Sequence, residues 1–356
     1  MSRREAGPDA EAVASASSGS CSAWARHGRG ARRRCELAVD GMKVGVIFPT
    51  RELPPRPEAI RSWAQGVEAA GAHHIAFPDH ILGIVHEDQE PGWDRDWPHP
   101  SGRGVYGPQT RFHEAFVTMG FIAGGCKSIE LVSGILVLPM RNTALVAKQA
   151  AQLDLLNGGR FRLGVAAGWN AAEFASVGAE YRGRGRRLVE QVELLRRFWT
   201  EDSVHFHGEF HDVVGACLSP GPVQRPIPIW MGGGSFDDGR GLEPIERVLE
   251  RIGRLSDGWY LDTLQPPSDL AQRAIDRVRR AAADADRDPD ALGFDVRILL
   301  RNVPEHKVAE TVAGWAQMGV THVTIDTSDV GNENVAEYIH CFERVIRSVR
   351  DRVGDQ

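Results

Sequence analysis

The stretch FRLGVAAGWNAAEF, residues 161–174, decides how the chain is interpreted. A short β-rich run from Phe161 to Ala166 is followed by Gly168, Trp169 and Asn170 and then by the start of a helix. The carboxyl ends of parallel strands carry the functional loops of α/β proteins, and helix N-termini offer unpaired N–H groups to ligands. We therefore expect this turn to line a functional site.

The same alternation of strand and amphipathic helix recurs from Lys43 onward. Eight strand–helix units over about 300 residues fit a (β/α)8 TIM barrel. A doubly wound open sheet is the main competitor, and it is disfavoured because no G-x-G-x-x-G follows the first strand. The predicted strands are Val44–Phe48, Ile75–Phe77, Ile129–Leu138, Phe161–Ala166, Ile227–Met231, Trp259–Leu261, Phe294–Leu300 and His322–Ile325.

Three segments depart from this alternation. Residues 1–41 are rich in Ala, Ser, Gly and Arg, so they are predicted to be a disordered extension, with a catalytic domain over 42–356. Met42 directly precedes the first strand, and we hypothesise that the extension lies upstream of the natural start. Residues 83–110 combine prolines and glycines with three aromatic side chains, which favours a lid. Residues 204–213 alternate around a glycine and are predicted to form a β-hairpin insertion.

Composition narrows the class of protein. A net charge of −6 gives no reason to expect nucleic acid or an anionic membrane as a partner. No apolar run approaches the roughly 20 residues that span a bilayer. The five cysteines are odd in number and scattered, which is typical of reduced thiols in a cytoplasmic protein. The expected partner is a small-molecule substrate.

Two segments at strand ends have residues suited to chemistry. Asp79 and His80 follow the second strand, where a histidine can exchange a proton and a carboxylate can tune it; a helix cap and a surface histidine are the plain alternative. The run Gly232, Gly233, Gly234 and Ser235 follows the fifth strand and predicts a phosphate site, with a flexible turn as its alternative.

Other histidines are interpreted as ordinary polar residues, and no metal site is predicted. His205, His207 and His211 superficially resemble a metal cluster, but the hairpin places them on both sides of a turn. His73 and His74 are expected to be surface residues at the end of the first helix.

Taken together, these segments resemble the bacterial luciferase-like monooxygenase superfamily, most closely its coenzyme F-420-dependent oxidoreductase branch. The resemblance runs from about Met42 to Arg350, and its specificity comes from the order and spacing of the motifs. They are GVIFP (45–49), EAAGAHHIAFPDH (68–80), LVSGILVLPMRNTALVAKQAAQLDLLNGGRFRLGVAAGWNAAEF (131–174), RGRRLVEQVELLRRFW (184–199), PGPVQRPIPIWMGGGS (220–235) and RLSDGWY (254–260).

The resemblance implies a TIM barrel that binds a flavin-like cofactor at its carboxyl mouth, and it suggests a homodimer. It places a non-proline cis peptide at Gly134–Ile135, under the cofactor ring. Gly134, Ile135, Gly168, Trp169 and Asn170 are expected to line the ring site. The phosphate is expected on the run from Gly232 to Ser235.

The resemblance also implies roles for the polar residues and exposes one departure. His80 is expected to mediate a proton near the reactive carbon, with Asp79 tuning it. Sugar-phosphate dehydrogenases of the branch have a glutamate where this chain has Trp169, so their acid chemistry does not carry over. The first hypothesis is hydride transfer with F-420. The alternatives are an FMNH2-dependent monooxygenase and a catalytically silent cofactor-binding protein.

Overall fold

A computed structural model describes residues 41–85, 88–89, 107–235, 241–261 and 266–354. These residues lie within one compact unit, 38–356. Residues 1–40 of the extension predicted over 1–41 and most of the lid predicted over 83–110 fall outside the described residues. Among the described helices, none combines the length and the apolar character that a membrane span requires.

Eight strand positions close into a parallel barrel in the described part of the chain. The pairing runs in order through the strands that begin at Glu130, His74, Lys43, His322, Gly293, Gly258, Ile229 and Phe161. The Phe161 strand returns to the Glu130 strand, so the ring has no open edge. The predicted TIM barrel is therefore confirmed, and the open sheet is wrong. The barrel strands are β1 (Lys43–Ile47), β2 (His74–Phe77), β3 (Glu130–Ser133) continued by β4 (Leu136–Val137), β5 (Phe161–Ala166), β8 (Ile229–Gly233), β9 (Gly258–Leu261), β10 (Gly293–Leu299) and β11 (His322–Asp326).

Helices cover the outside of the barrel. Several begin at a capping side chain, since Asn142 accepts from the Leu145 N–H and Ser268 from the Ala271 N–H. Gly71, at φ 93°, ends the first helix in the left-handed conformation that glycine tolerates best. The helices are α1 (Pro57–Ala70), α2 (Ala115–Ala123), α3 (Thr143–Leu156), α4 (Ala171–Ser176), α5 (Arg184–Thr200), α6 (Glu246–Leu255), α7 (Asp269–Ala283), α8 (Glu305–Gln317) and α9 (Val335–Gly354).

The predicted hairpin insertion is confirmed. Strands β6 (Val204–His207) and β7 (Asp212–Ala216) pair antiparallel outside the barrel. Its histidines have separate partners, because His207 Nδ1 lies 2.8 Å from Asp212 and His211 Nδ1 lies 2.7 Å from Glu190. They form no common site in the described structure.

The amino-terminal end of the barrel holds a buried polar cluster, which we call the barrel floor. His74 is the first residue of β2 and is 0% exposed, so the prediction of a surface residue is wrong for it. The reason is that β2 begins at His74, one residue before the predicted start at Ile75, so His74 belongs to the barrel strand. The floor consists of His73, His74, Glu130, Arg162, Asp295, His322 and Thr324.

Arg162 is the central charge of the barrel floor. Its Nη2 lies 3.3 Å from Glu130 and 3.8 Å from Asp295, and its guanidinium stacks 4.0 Å from the ring of Trp230. Burial works against ionisation of Glu130, but the nearby Arg162 lowers the pKa of Glu130 below its usual range. Burial lowers the pKa of His73 to about 4. The floor is thus a set of paired charges inside the barrel.

Candidate active site

The barrel topology brings the predicted site residues to one arc of its carboxyl mouth. Strands β2, β3, β5 and β8 are consecutive neighbours in the ring. His80 follows β2, the Gly134–Ile135 peptide follows β3, Trp169 follows β5, and Gly233 ends β8. Because parallel strands end on the same side, these four segments meet at one edge. The sequence prediction of a single mouth is geometrically consistent with this fold.

His80 is held by a carboxylate from the neighbouring segment. Its Nδ1 lies 3.0 Å from the Oε2 of Glu173, a residue that is only 1% exposed. The other Glu173 oxygen accepts the backbone N–H of Ile81, and the Leu82 N–H lies 3.4 Å away. One buried side chain therefore fixes both the imidazole and the backbone that follows it.

Glu173 is ionised in this setting. Burial raises its pKa, but the hydrogen bond and charge of His80 and the N–H groups of Ile81 and Leu82 lower the pKa below the usual range. An ionised Glu173 accepts a hydrogen bond from Nδ1–H of His80, which assigns proton exchange with a ligand to the imidazole Nε2.

Asn170, which was predicted to line the ring site, holds the backbone of Glu173. It is 2% exposed, and its Oδ1 accepts the Glu173 N–H at 3.1 Å as the N-cap of α4. The pattern of a capping residue followed three positions later by Glu is the sequence signature of a helix start. Here the Glu side chain extends to His80.

Asp79 differs from its predicted role as the tuning partner of His80. Its carboxylate accepts from Arg141 Nη2 at 2.6 Å and from the Val137 N–H at 3.3 Å. Burial raises the pKa of Asp79, and Arg141 opposes that shift. Asp79 therefore ties the end of β2 to β4 and the segment after it, while Glu173 makes the hydrogen bond to His80.

Two aromatic rings lie beside His80. The Phe112 ring lies 4.9 Å from the imidazole and the Trp169 ring lies 6.3 Å from it, both roughly edge-on. Tyr181 donates its hydroxyl to the Trp169 carbonyl at 2.8 Å and so fixes the backbone of the turn. The wall around the imidazole is apolar, as the identity of Trp169 predicted.

Gly168 allows this wall to form. Its φ is 77°, and an added Cβ would lie 2.4 Å from Val137 Cγ1. Arg184 donates from Nε to the Gly168 carbonyl at 2.9 Å, so its guanidinium reaches this turn. A small cavity lies against this turn, lined by His80, Val137, Met140, Gly168, Trp169, Asn170, Glu173 and Phe174.

The predicted cis peptide at Gly134–Ile135 is present. It separates β3 from β4, where direct pairing with β5 is interrupted. Ser133 bridges the gap, since its hydroxyl donates to the Gly164 carbonyl and accepts the Gly164 N–H, each at 2.9 Å. Gly164 has room for no side chain here, because an added Cβ would lie 2.0 Å from the Ser133 carbonyl oxygen.

The glycine run at the end of β8 includes two residues with positive φ. Gly233 and Gly234 have φ values of 114° and 83°, and Trp259 Nε1 donates to the Gly233 carbonyl at 2.9 Å. An added Cβ at Gly232 would lie 2.8 Å from Ile135, so these two segments are in close contact. The next helix, α6, begins only at Glu246. The phosphate site on Gly232–Ser235 stays a prediction.

A second cavity, of about 580 Å³, lies outside the barrel beside α6 and α7. Its charges are balanced, and Arg277 already pairs with Glu246 at 3.3 Å. It contains none of the mouth residues, so volume alone does not identify the site. Its other charged lining residues are Glu243, Arg273, Asp276 and Arg280.

Sequence reasoning missed three residues of the mouth. Glu173 lies in the first turn of α4, and its position three residues after Asn170 is the pattern of an N-cap followed by Glu. Phe112 lies just after the predicted lid, without a pattern of its own. Arg141 was quoted only as part of a longer motif, and nothing local connects it to Asp79, 62 positions away.

The family model for luciferase-like monooxygenases matches residues 42–323. The chain belongs to this family. A Mycobacterium tuberculosis protein described only as uncharacterized is 32% identical over 223 residues, which are 62% of this chain and 70% of that protein. An F-420-dependent glucose-6-phosphate dehydrogenase of Amycolatopsis mediterranei is 25% identical over 285 residues, covering 79% of this chain and 75% of that enzyme.

A solved structure has the same fold as this chain. It is an F-420-dependent secondary alcohol dehydrogenase in complex with an F-420-acetone adduct, with a TM-score of 0.66 and 19% identity. The match covers 87% of this chain and 99% of that one. The prediction of a luciferase-like protein is confirmed, and the chain is an oxidoreductase.

Proposed function

We propose that the chain transfers a hydride between coenzyme F-420 and a small, neutral organic molecule. The observation that carries the proposal is the His80–Glu173 pair, which lies at the barrel mouth between Phe112 and Trp169. Relatives named as F-420-dependent dehydrogenases support the choice of cofactor.

The residues at the mouth fit such a cofactor. Gly134, Ile135 and Gly168 would hold a flat ring, because each presents backbone or a small apolar surface. Gly233 and Gly234 have left-handed φ values and no side chain, so their backbone is accessible to a phosphate. Ser235 adds a hydroxyl. The deazaflavin, when bound, would accept or supply the hydride.

The chain's own part in the reaction is to move one proton. Oxidation of an alcohol breaks the carbinol C–H bond, whose hydride goes to the cofactor, and releases the hydroxyl proton. Nε2 of His80 takes that proton, while Glu173 keeps Nδ1–H in place and stabilises the imidazolium that forms. In the reverse direction the imidazolium returns the proton to the carbonyl oxygen as the hydride arrives.

The surroundings of His80 favour an apolar substrate over a sugar phosphate. Trp169 and Phe112 form the wall, and two nearby arginines are already engaged. Arg141 binds Asp79, and Arg184 binds the Gly168 carbonyl while stacking 3.8 Å from the Tyr181 ring. We therefore propose secondary alcohols or ketones with an apolar or aromatic body as the substrate class.

Cofactor titration tests the first part of the proposal. The purified chain is titrated with F-420 and, separately, with FMN, and binding is followed by fluorescence. We expect saturable F-420 binding that Gly233→Val and Gly234→Val weaken, since both positions require glycine. Clear FMN binding without F-420 binding would reject the proposal in favour of the FMNH2-dependent monooxygenase, the alternative that the family description supports.

A substrate comparison tests the second part. Apolar secondary alcohols and glucose-6-phosphate are compared at equal concentrations with F-420 as acceptor. We expect turnover with the alcohols, and we expect Trp169→Ala to raise KM more than it lowers kcat. Turnover with glucose-6-phosphate alone contradicts the proposed class. A chain that binds F-420 but turns over neither group supports the silent cofactor-binding protein.

We also propose that the chain forms a homodimer, on the family resemblance alone. Light scattering of the purified chain measures the mass in solution directly. A monomer at all accessible concentrations contradicts this proposal without affecting the assignment of the site.

A further inference from the structure

We propose that His73, His74 and Glu130, on the barrel floor, bind a divalent transition-metal ion of the Zn²⁺ class. His73 precedes β2, His74 begins it, and Glu130 begins β3. The parallel register pairs His74 directly with Glu130, and His73 Nδ1 lies 3.7 Å from Glu130 Oε2. A ring nitrogen of each histidine and an oxygen of Glu130 all lie within 4.8 Å of one another.

The tautomer of His74 can be assigned from its hydrogen bonds. The Thr324 hydroxyl donates to Asp295 Oδ1 at 2.8 Å, so its proton is already used. The 2.8 Å contact between that hydroxyl and His74 Nε2 therefore requires Nε2–H to be the donor. In the neutral imidazole the lone pair then lies on Nδ1.

That lone pair has no protein partner within the described structure. His74 is 0% exposed, and its Nδ1 is a buried atom without a hydrogen bond; the Nδ1 of His73 is in the same situation. A buried polar atom without a partner is destabilising, so native proteins rarely leave one unsatisfied. A metal ion satisfies such nitrogen lone pairs.

The surroundings of His74 match those of metal-binding histidines in general. Such a histidine usually donates its second ring N–H to an oxygen acceptor, which fixes the tautomer and the ring orientation. His74 does so through Thr324, which is held in turn by Asp295. Imidazole nitrogens and one carboxylate form a common ligand set for Zn²⁺, with water as the fourth ligand.

Two cationic side chains lie near the proposed metal ligands. Arg162 contacts Glu130 at 3.3 Å and Asp295 at 3.8 Å, and Lys43 lies at the start of the adjacent strand β1. Asp295 Oδ2 is buried and has no hydrogen-bond partner among the described atoms. If a metal ion takes Glu130, Arg162 retains Asp295 as its carboxylate. Glu130, Asp295 and Arg162 together carry a net charge of −1, which a divalent ion would change to +1.

A metal ion at this position would connect β2 and β3 at the end of the barrel opposite the mouth. Its expected effect is on stability rather than on turnover, because catalytic residues of TIM barrels lie at the carboxyl end. The inference is independent of the proposed function, since it uses none of the mouth residues.

The test uses the full chain after treatment with a chelator. Zn²⁺ is titrated by calorimetry, and Co²⁺ replaces it for visible spectroscopy. We expect one ion per chain, about 100-fold weaker binding in His73→Ala and Glu130→Gln, and no change in His207→Ala, which removes an exposed His–Asp pair. Zn²⁺ should also raise the Tm of the wild-type chain but not that of His73→Ala.

His73 is partly exposed, so His73→Ala should keep its fold, and circular dichroism in chelator checks this. F-420 binding should be the same with and without Zn²⁺. Absence of saturable binding, or equal binding by wild type, His73→Ala and Glu130→Gln, overturns the proposal. So does loss of the ion in His207→Ala alone.

Discussion

The mouth and the floor of the barrel are built from the same residue types and held in different ways. At the mouth, His80 and Glu173 lie in segments that follow the strands and are joined by a cap and backbone N–H groups. On the floor, His74, Arg162 and Asp295 lie within strands whose ladders fix them on several sides. The proposed chemistry therefore lies in segments where the backbone can vary, while the charges inside the strands belong to the framework of the barrel.

Replacing His80 should give the largest effect, and it should be an effect on rate. His80→Ala removes the proton-exchanging Nε2, and loss of a general acid–base group costs about 10²–10⁴-fold in turnover. The Tm should fall only modestly, because the buried Glu173 loses one hydrogen bond but keeps those from the Ile81 and Leu82 N–H groups. Turnover is followed by the absorbance of F-420, with His340→Ala on the exposed face of α9 as control. Equal turnover in both variants would contradict the mechanism.

Replacing Arg162 should give the opposite result, a loss of stability. Arg162→Met leaves Glu130 and Asp295 without their shared cation inside the barrel, which costs about 3–5 kcal/mol. Urea denaturation measures the free energy of unfolding. Arg186→Met is the matched control, because the Arg186–Glu209 pair is exposed and should be nearly neutral. If the two variants lose equal stability, the floor is not the stabilising charge cluster that we describe.

Comparing substitutions at two glycines distinguishes the cost of a strained backbone conformation from the cost of steric overlap. Gly168 and Gly178 have φ values of 77° and 68°, but only Gly168 has side chains within reach of an added Cβ. Gly168→Ala should cost about 2–4 kcal/mol from strain and overpacking, and Gly178→Ala about 1 kcal/mol from strain alone. Gly168→Ala should also weaken F-420 binding, since it displaces Trp169. Equal losses in urea denaturation would show that packing at the mouth is loose.

The sequence was sufficient for the barrel because its signals are local. Each strand is a short apolar run beside an amphipathic helix, and all eight predicted strands are present within a few residues. The glycine turn at Gly168 and the cis peptide at Gly134–Ile135 were also found, the first from its pattern and the second from the family resemblance.

Pairings between distant segments could not be predicted in the same way. Glu173 and His80 are 93 positions apart, and Asp79 was assigned to His80 because the two are adjacent in sequence. Neighbouring residues at a strand end point in different directions, so Asp79 reaches Arg141 instead. The burial of His74 follows from the start of β2 at His74, one residue before the predicted start at Ile75, and sequence patterns locate such boundaries only approximately.

The smallest expected effect concerns two glutamates with matching surroundings. Glu173 and Glu190 each accept from a histidine Nδ1 and from two backbone N–H groups, and these bonds outweigh burial and lower the pKa of both. A carboxyl group whose pKa is lower in the folded than in the unfolded chain stabilises the fold at pH values above its unfolded pKa. This stabilisation is lost as the pH falls through the folded pKa. Glu173→Gln should therefore cost about 1 kcal/mol near pH 7, and the deficit should vanish in acid.

Glu190→Gln separates stability from chemistry. Its stability deficit should show the same pH dependence, because Glu190 holds His211 of the hairpin as Glu173 holds His80. Turnover should fall about tenfold in Glu173→Gln, since the imidazolium of His80 loses its carboxylate, and it should be unchanged in Glu190→Gln. If both variants retain full turnover, Glu173 only fixes the backbone at Ile81 and Leu82, and His80 works without a carboxylate partner.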